Sequence, residues 1–288
     1  MSDSNHIVVG VEGSHASELA VDWAADEADS RGCRLRIVGV YDWELVDPWE
    51  LTFRIEPREL GALRRQTEKL VASMAGRARD RVSGIEVETA AVQGDPLTVL
   101  AAESAAARLV VVGSRHLHSL GMRFLGSVAS GLVPLVSCPL VVLRGPAGDP
   151  AELAKVLVGI DGGPGSDELM AFAMDHAERH GAEVHAVLVW RPDVLREIGA
   201  RRQPPAPEQA ERWLAEAVSG WREKFPDVRL YTSVIRDHPV GGLVDLSTAH
   251  HLLVVGRRRH GPAPFGNTAR GVLHHASVPV AIVPVPES

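Results

Sequence analysis

The feature that most narrows the choice of fold is an internal repeat. IVVGVEG at residues 7–13 reappears as VLVGIDG at 156–162, an offset of 149 residues. WAADEADSRGCRLRIVGVYDW at 23–43 parallels FAMDHAERHGAEVHAVLVW at 172–190, and the helix-stopping Gly32 and Gly181 keep that offset. QGDPLTVLAAESAAARLVVVG at 93–113 then matches RDHPVGGLVDLSTAHHLLVVG at 236–256 with an offset of 143, and SCPLVVL at 137–143 matches SVPVAIV at 277–283 with an offset of 140. Units this long and unequal are duplicated domains, because solenoid repeats run to about 20–50 residues. A chain of 288 residues suits two domains of ordinary size. The expected boundaries are 1–146 and 153–288. GPAGDPAE at 145–152 is the expected linker, short enough that the halves should pack together rather than swing.

Within each half the pattern reads strand, helix, strand, a variable connection with a helix, strand, helix, strand, glycine loop, helix, strand. Continuous Val-rich runs such as Leu109 to Val112 are those of strands buried on both faces, as in parallel sheets. Their alternation with helices predicts an α/β class with two tandem doubly wound domains. Pro48 and Pro57 in the first half, and RRQPPAP at 201–207 in the second, mark the variable connections, read as mobile flaps beside the second strand.

Composition removes several function classes. Hydrophobic residues make up 45% and charged residues 23%, the balance of an ordinary globular chain. The net charge of -7 leaves no global footprint for nucleic acid or an anionic membrane. Of 30 basic residues only Lys69, Lys155 and Lys224 are lysine, so an arginine near a suspected phosphate site is weaker evidence here than elsewhere. Two cysteines, Cys33 and Cys138, are too few for a disulfide framework or a structural zinc site. The first residues lack a basic stretch followed by a long apolar one, and no run of about 20 apolar residues exists. A soluble, cytoplasmic protein is expected.

In open α/β sheets ligands bind beyond the carboxyl ends of the strands, where strand order reverses. That crevice lies between the first and fourth strands of each half. The first strands end in Glu12-Gly13-Ser14 and Asp161-Gly162-Gly163; the fourth end at Gly113 and Gly256. A glycine loop feeding a helix start presents unpaired N–H groups and the positive end of the helix dipole, which favour phosphate. Gly126-Ser127 and Gly266-Asn267 stand at those helix starts.

The ordered set IVVGVEGS, QGDP, VVVGSR, LGSVASG and SCPLVVL, with VLVGIDG, LLVVGRR and VLHHASVPVAIV in the second half, resembles the universal stress protein family over nearly the whole chain. The resemblance implies five-stranded parallel sheets of order 3-2-1-4-5, of Rossmann-like, adenine nucleotide alpha hydrolase-like type. It also implies a tandem arrangement that mimics the usual dimer and, in one branch, an ATP site. That branch carries G-x-x-G-x9-G-[S/T] and an aspartate at the end of strand one. In the first half Gly113 and Gly126 keep the required separation and Ser127 follows, but His116 replaces the second glycine and Glu12 the aspartate. Glutamate is one methylene longer, which moves its carboxylate by about 1.5 Å. In the second half Asp161 is present, yet Arg259 stands at the second glycine, Asn267 replaces Ser/Thr, and Gly256 to Gly266 is three residues short. Arg257, Arg258 and Arg259 remain candidates for an anion contact in that loop.

The expected adenine-nucleotide site residues are therefore Glu12, Gly113, Gly126 and Ser127, with Asp161, Gly256 and Gly266 a degraded second set. The acidic residue would contact adenosine, the glycine N–H groups phosphate, and Ser127 would add a hydroxyl donor. Trp43 and Trp190 follow the second strands, where either core packing or an aromatic wall for a base is open. His274–His275 and His250–His251 are neighbours whose side chains point apart on a helix, so no metal site is expected. Cys138 before Pro139 reads as a small buried hydrophobe. No nucleophile elbow and no Walker loop occurs, so a dedicated enzyme is not expected. The reading is a tandem stress-response regulatory module that binds ATP in at least one half, associates as a homodimer, and acts on an unidentified protein partner, with no nucleic acid and no membrane. The alternative is a nucleotide-independent scaffold with degenerate sites, whose last strands, Leu140 to Leu143 and Val280 to Val283, pair edges to build the pseudo-dimer.

Overall fold

Strand β1, His6–Val11, is a run of apolar residues buried from its second position onward, the signature of a strand covered on both faces. A computed structural model of the chain describes residues 5–42, 57–114, 126–144, 154–163, 165–190, 207–258 and 267–286. After β1 come α1 (His15–Ser30), β2 (Arg34–Tyr41), α2 (Pro57–Arg81), β3 (Val87–Gln93), α3 (Pro96–Ser104), β4 (Leu109–Gly113), α4 (Ser127–Leu132) and β5 (Leu140–Leu143). The second half gives β6 (Lys155–Ile160), α5 (Ser166–His180), β7 (Glu183–Trp190), α6 (Pro207–Ala217), α7 (Trp221–Lys224), β8 (Leu230–Arg236), α8 (Pro239–Ser247), β9 (Leu252–Arg258), α9 (Asn267–His275) and β10 (Val280–Val285). They form two compact units, the first built on β1 to β5 and the second on β6 to β10.

Each unit is a parallel five-stranded sheet. In the first, the order is β3-β2-β1-β4-β5; in the second, β8-β7-β6-β9-β10. Both are the 3-2-1-4-5 order that the resemblance implied, with the reversal between first and fourth strands. Val8, Val9, Val110, Val111, Leu157, Val158, Leu253 and Val254 at the sheet centres are fully or almost fully buried, each contributing about 1.5–3 kcal/mol of hydrophobic free energy. β3 and β8, at an edge of each order, expose alternate residues.

Local chemistry sets the ends of the helices. Ser14 caps α1, its Oγ accepting from Ser17 N at 3.3 Å. Asp95 caps α3, accepting from Thr98 N at 2.8 Å with Pro96 following; in the second unit His238 takes that place, its Nδ1 accepting from Val240 N at 3.3 Å. Gly32 and Gly181, expected to stop α1 and α5, hold φ of +59° and +62°, which glycine adopts without a Cβ penalty. Two bidentate pairs one helical turn apart, Arg77 on Asp22 and Arg81 on Asp26, all at 2.6 Å, tie α2 to α1.

The duplication extends to close packing. A Cβ on Gly10 would lie 2.9 Å from Leu100, and one on the equivalent Gly159 would lie 3.1 Å from the equivalent Leu243. Cys138 is buried and donates to the Pro139 carbonyl at 3.5 Å; burial pushes its pKa up to about 12. Among the described residues no helix is long and apolar enough to cross a membrane. The linker at 145–152 and the flaps at Pro48 and 201–206 lie outside the described residues.

Candidate functional site

At the carboxyl end of β1 the chain turns through Glu12, Gly13 and Ser14 into α1. Gly13 has φ +87°, and its N–H donates to Ser17 Oγ at 3.2 Å. Ser17 Oγ in turn donates to the Ser14 carbonyl at 2.8 Å, so the turn is braced from within the helix. Glu12 is exposed and accepts a hydrogen bond from the Ser14 hydroxyl, which holds its carboxylate over the helix start.

Beside this turn, β4 ends at Gly113. A Cβ there would sit 2.4 Å from both C and O of Ala16 and 2.8 Å from Ser17 N, so β4 and the first turn of α1 meet backbone to backbone. Glycine is required here by packing, whatever binds above it. Ser114 follows, 2% exposed, with an Oγ that has no hydrogen-bond partner among the described residues. Its N–H donates to the Leu143 carbonyl at 3.0 Å. Gly126 precedes α4 with φ -57° and ψ 145° and no side-chain cap; among the described residues a Cβ on it would meet nothing within 4 Å. Ser127 is exposed at the first helical position. The first crevice thus joins an acidic turn to a glycine-ended strand, followed by a buried hydroxyl without a partner among the described residues. His116 lies outside the described residues.

The second crevice has the same frame and a different filling. Asp161 Oδ1 accepts from Gly163 N at 2.8 Å, and Oδ2 pairs with Arg258 Nη2 at 3.1 Å. Both carboxylate oxygens are engaged by the protein. Gly162, φ +72°, packs under Trp213, whose Cε3 would be 3.0 Å from an added Cβ. Among the described residues a Cβ on the equivalent Gly13 would meet Leu70, at 3.5 Å. Gly256 is less crowded than Gly113, with Val285 Cγ1 at 3.4 Å. β9 runs on through Arg258, where sequence spacing ended the strand at Gly256. Alternation along it buries Arg257, 1% exposed, and turns Arg258 outward. Of the three arginines considered for an anion contact, one is thus in the interior and one on Asp161; Arg259, like Gly266, lies outside the described residues. Trp190 ends β7 half-buried, with the Arg236 guanidinium 5.9 Å from its ring centroid; Trp43 lies outside the described residues.

The family model described as "Universal stress protein family" matches the chain twice, over residues 4–144 and 152–284. The chain belongs to the universal stress protein family. A universal stress protein of Mycobacterium bovis is 33% identical over 96% of each chain. One from Mycolicibacterium smegmatis is 34% identical, again over 96% of each. The crystal structure of a universal stress protein from Archaeoglobus fulgidus superposes over 98% of this chain and 97% of that one with a TM-score of 0.75 at 17% identity, a likeness of fold. This universal stress protein therefore carries two copies of the family domain in tandem.

Three features of this universal stress protein escaped the sequence reading. Ser114 was hidden inside the glycine motif, although a serine directly after a buried strand signals a polar atom at the strand end. Trp213 carried no signal, since its reach over Gly162 depends on the rotation of α6. The histidines of α5 and β7 were passed over, yet His176 and His180 are spaced i,i+4, which sets two side chains on one helical face.

Proposed function

We propose that this chain is a stress-response regulatory module that binds an adenine nucleotide, ATP, in the crevice of its first unit. Glu12 would contact the adenosine, the N–H groups at Gly113 and Gly126 the phosphates, and Ser127 and Ser114 would supply hydroxyls. The observation that carries this reading is the acidic turn at Glu12 held next to the glycine-ended β4, with the buried Ser114 hydroxyl that follows it lacking a partner among the described residues. An unsatisfied buried polar group costs about 1–3 kcal/mol, and a phosphate-rich ligand above β4 would offer acceptors.

The second unit is read as a structural partner that has closed its own crevice. Trp213 covers the turn where the first unit has Leu70, and Arg258 supplies to Asp161 the positive charge a ligand would otherwise meet. The chain acts by binding rather than as an enzyme, in the cytoplasm and as a homodimer, with nucleotide occupancy altering its affinity for a protein partner.

Gly126→Asp tests the site directly. Aspartate is a preferred residue before a helix and Gly126 has room for it, so folding should be kept while a carboxylate faces the phosphates. Nucleotide affinity falling at least tenfold with an unchanged thermal midpoint supports the assignment; unchanged affinity sinks it. Light scattering at high concentration tests the homodimer, and a monodisperse monomer would remove it.

A further inference from the structure

A cavity of about 500 Å³ opens in the second unit between the amino-terminal part of α5 and the break that separates α6 from α7, with Asp167, Glu168, Ala171, Gly220, Trp221 and Lys224 in its lining. The duplication shows what the first unit puts in this place. Helices α1 and α5 correspond at an offset of 149: Ser17 and Ser166 each donate a hydroxyl to the carbonyl three residues back, Ser14 at 2.8 Å and Gly163 at 2.9 Å. Helix α2 corresponds to α6 and α7 at an offset of 143. Leu70 and Trp213 lie over the equivalent Gly13 and Gly162, and the Nη2 atoms of Arg79 and Arg222 donate to the carbonyls of Val87 and Leu230 at 3.4 and 3.1 Å. Arg77, bracketed by these two matches, therefore maps on Gly220, while Asp22 maps on Ala171 and Glu18 on Asp167.

In the first unit the Arg77 guanidinium fills this place, bidentate on Asp22 at 2.6 Å and 3.7 Å from Glu18 Oε2. The second unit lacks both the guanidinium and its bidentate partner, yet keeps the outer carboxylate as Asp167. It also carries a further one, Glu168, where the first unit has Leu19. We infer that this cavity binds a small molecule with a guanidinium head, seated where the first unit seats Arg77.

Glu168 supplies the strongest argument. Its Oε2 is buried and has no hydrogen-bond partner among the described residues, and a carboxylate oxygen taken out of water without a donor is costly. A guanidinium offers five N–H donors in a planar fork that matches carboxylates, so one head serves Asp167 and Glu168 together, as Arg77 serves Asp22 and Glu18. The α7 wall sets the other end of the ligand. Lys224 corresponds to Arg81, whose partner Asp26 has its counterpart in Asp175, paired here with Arg179 at 2.9 Å. The Lys224 ammonium lies instead over the Trp221 ring, 4.7 Å from its centroid, and 5.7 Å from that of Phe225, a cation–π contact. The cavity is thus acidic along α5 and basic along α7, the polarity of a guanidino acid such as free arginine. A volume of this order is usual for small-molecule sites.

The test is calorimetric titration of the full-length chain with arginine and with citrulline, its neutral ureido isostere. Arginine should bind saturably at about one molecule per chain, and citrulline at least about tenfold more weakly, because hydrogen bonds between charged partners are the stronger ones. Glu168→Gln removes the charge with little change of shape and should weaken arginine binding by about tenfold or more. Ala171→Arg places a guanidinium of the chain's own in the cavity, four residues after Asp167 on one helix face, a favourable pairing. This variant should abolish binding while the thermal midpoint holds or rises. Glu178→Gln, exposed near the far end of α5, should keep the parent affinity. No saturable binding at millimolar arginine, citrulline binding as tightly as arginine, or parent affinity in Glu168→Gln or Ala171→Arg overturns the inference.

Discussion

Gly113 and Ala16 meet at the floor of the first crevice, where a Cβ on the glycine would lie 2.4 Å from the alanine carbonyl carbon and oxygen. This contact sets how closely α1 approaches β4, and so places the acidic turn beside the carboxyl end of β4. A glycine that looks like part of a phosphate motif therefore has a packing duty of its own.

Gly113→Ala should consequently destabilise the protein by about 3 kcal/mol, the upper part of the usual range for overpacking, because backbone cannot move aside as a side-chain tip can. Gly256→Ala, with its nearest neighbour at 3.4 Å, should lose less than about 1 kcal/mol. Denaturant midpoints of the two variants measure the contrast. Equal losses would show that the close approach at Gly113 is not what holds the turn in place.

Arg258→Ala breaks an exposed ion pair, with Asp161 65% and Arg258 52% exposed in their side chains. Exposed pairs contribute about 0–1 kcal/mol, so the thermal midpoint should barely change. Nucleotide stoichiometry should not rise either, since Trp213 and the shortened loop remain. A second equivalent of bound nucleotide in this variant would mean that the arginine alone closes the second crevice.

The sequence made much of the architecture readable and less of the crevices. Gly32 and Gly181 were legible as helix stops because the left-handed backbone they adopt is cheap only for glycine. The strand order followed from resemblance and held because each Val-rich run is buried on both faces. Arg257 was misplaced because a run of three arginines has the composition of a loop, while the period-two geometry of β9 sends one of them inward. The Asp161–Arg258 pair joins residues 97 apart and the His176–His251 pair residues 75 apart. No local pattern reports such pairings; only the completed sheet brings them together.

Acid should weaken the protein in part through His6. Burial, aided by the Arg36 charge and opposed by Glu103, lowers its pKa below the ordinary 6.5, and its Nε2 is buried without a partner among the described residues. The unfolded chain then takes up this proton near 6.5 and the folded chain only at lower pH. Stability is lost as pH falls through that window and levels off below the folded value. His6→Gln should show a smaller drop in thermal midpoint between about pH 7.5 and 5.5 than the parent; an identical drop would remove His6 from the account.

Both thiols should be silent in the folded state. Cys33 and Cys138 are each 8% exposed, and the Cys138 pKa near 12 leaves almost no thiolate, the reactive form. A thiol reagent at mildly alkaline pH should label neither cysteine until denaturant is added, and then both. Prompt labelling of Cys138 would contradict its burial.

The central claim, a nucleotide held by the first unit alone, is met most directly by denaturing gently purified protein and measuring the adenine nucleotide released by chromatography. The account predicts about one adenine nucleotide per chain, lost in Gly126→Asp and kept in Arg258→Ala. No released nucleotide, together with no thermal shift on adding millimolar ATP, would contradict it and leave the loop between Gly113 and Gly126 as inherited scaffold.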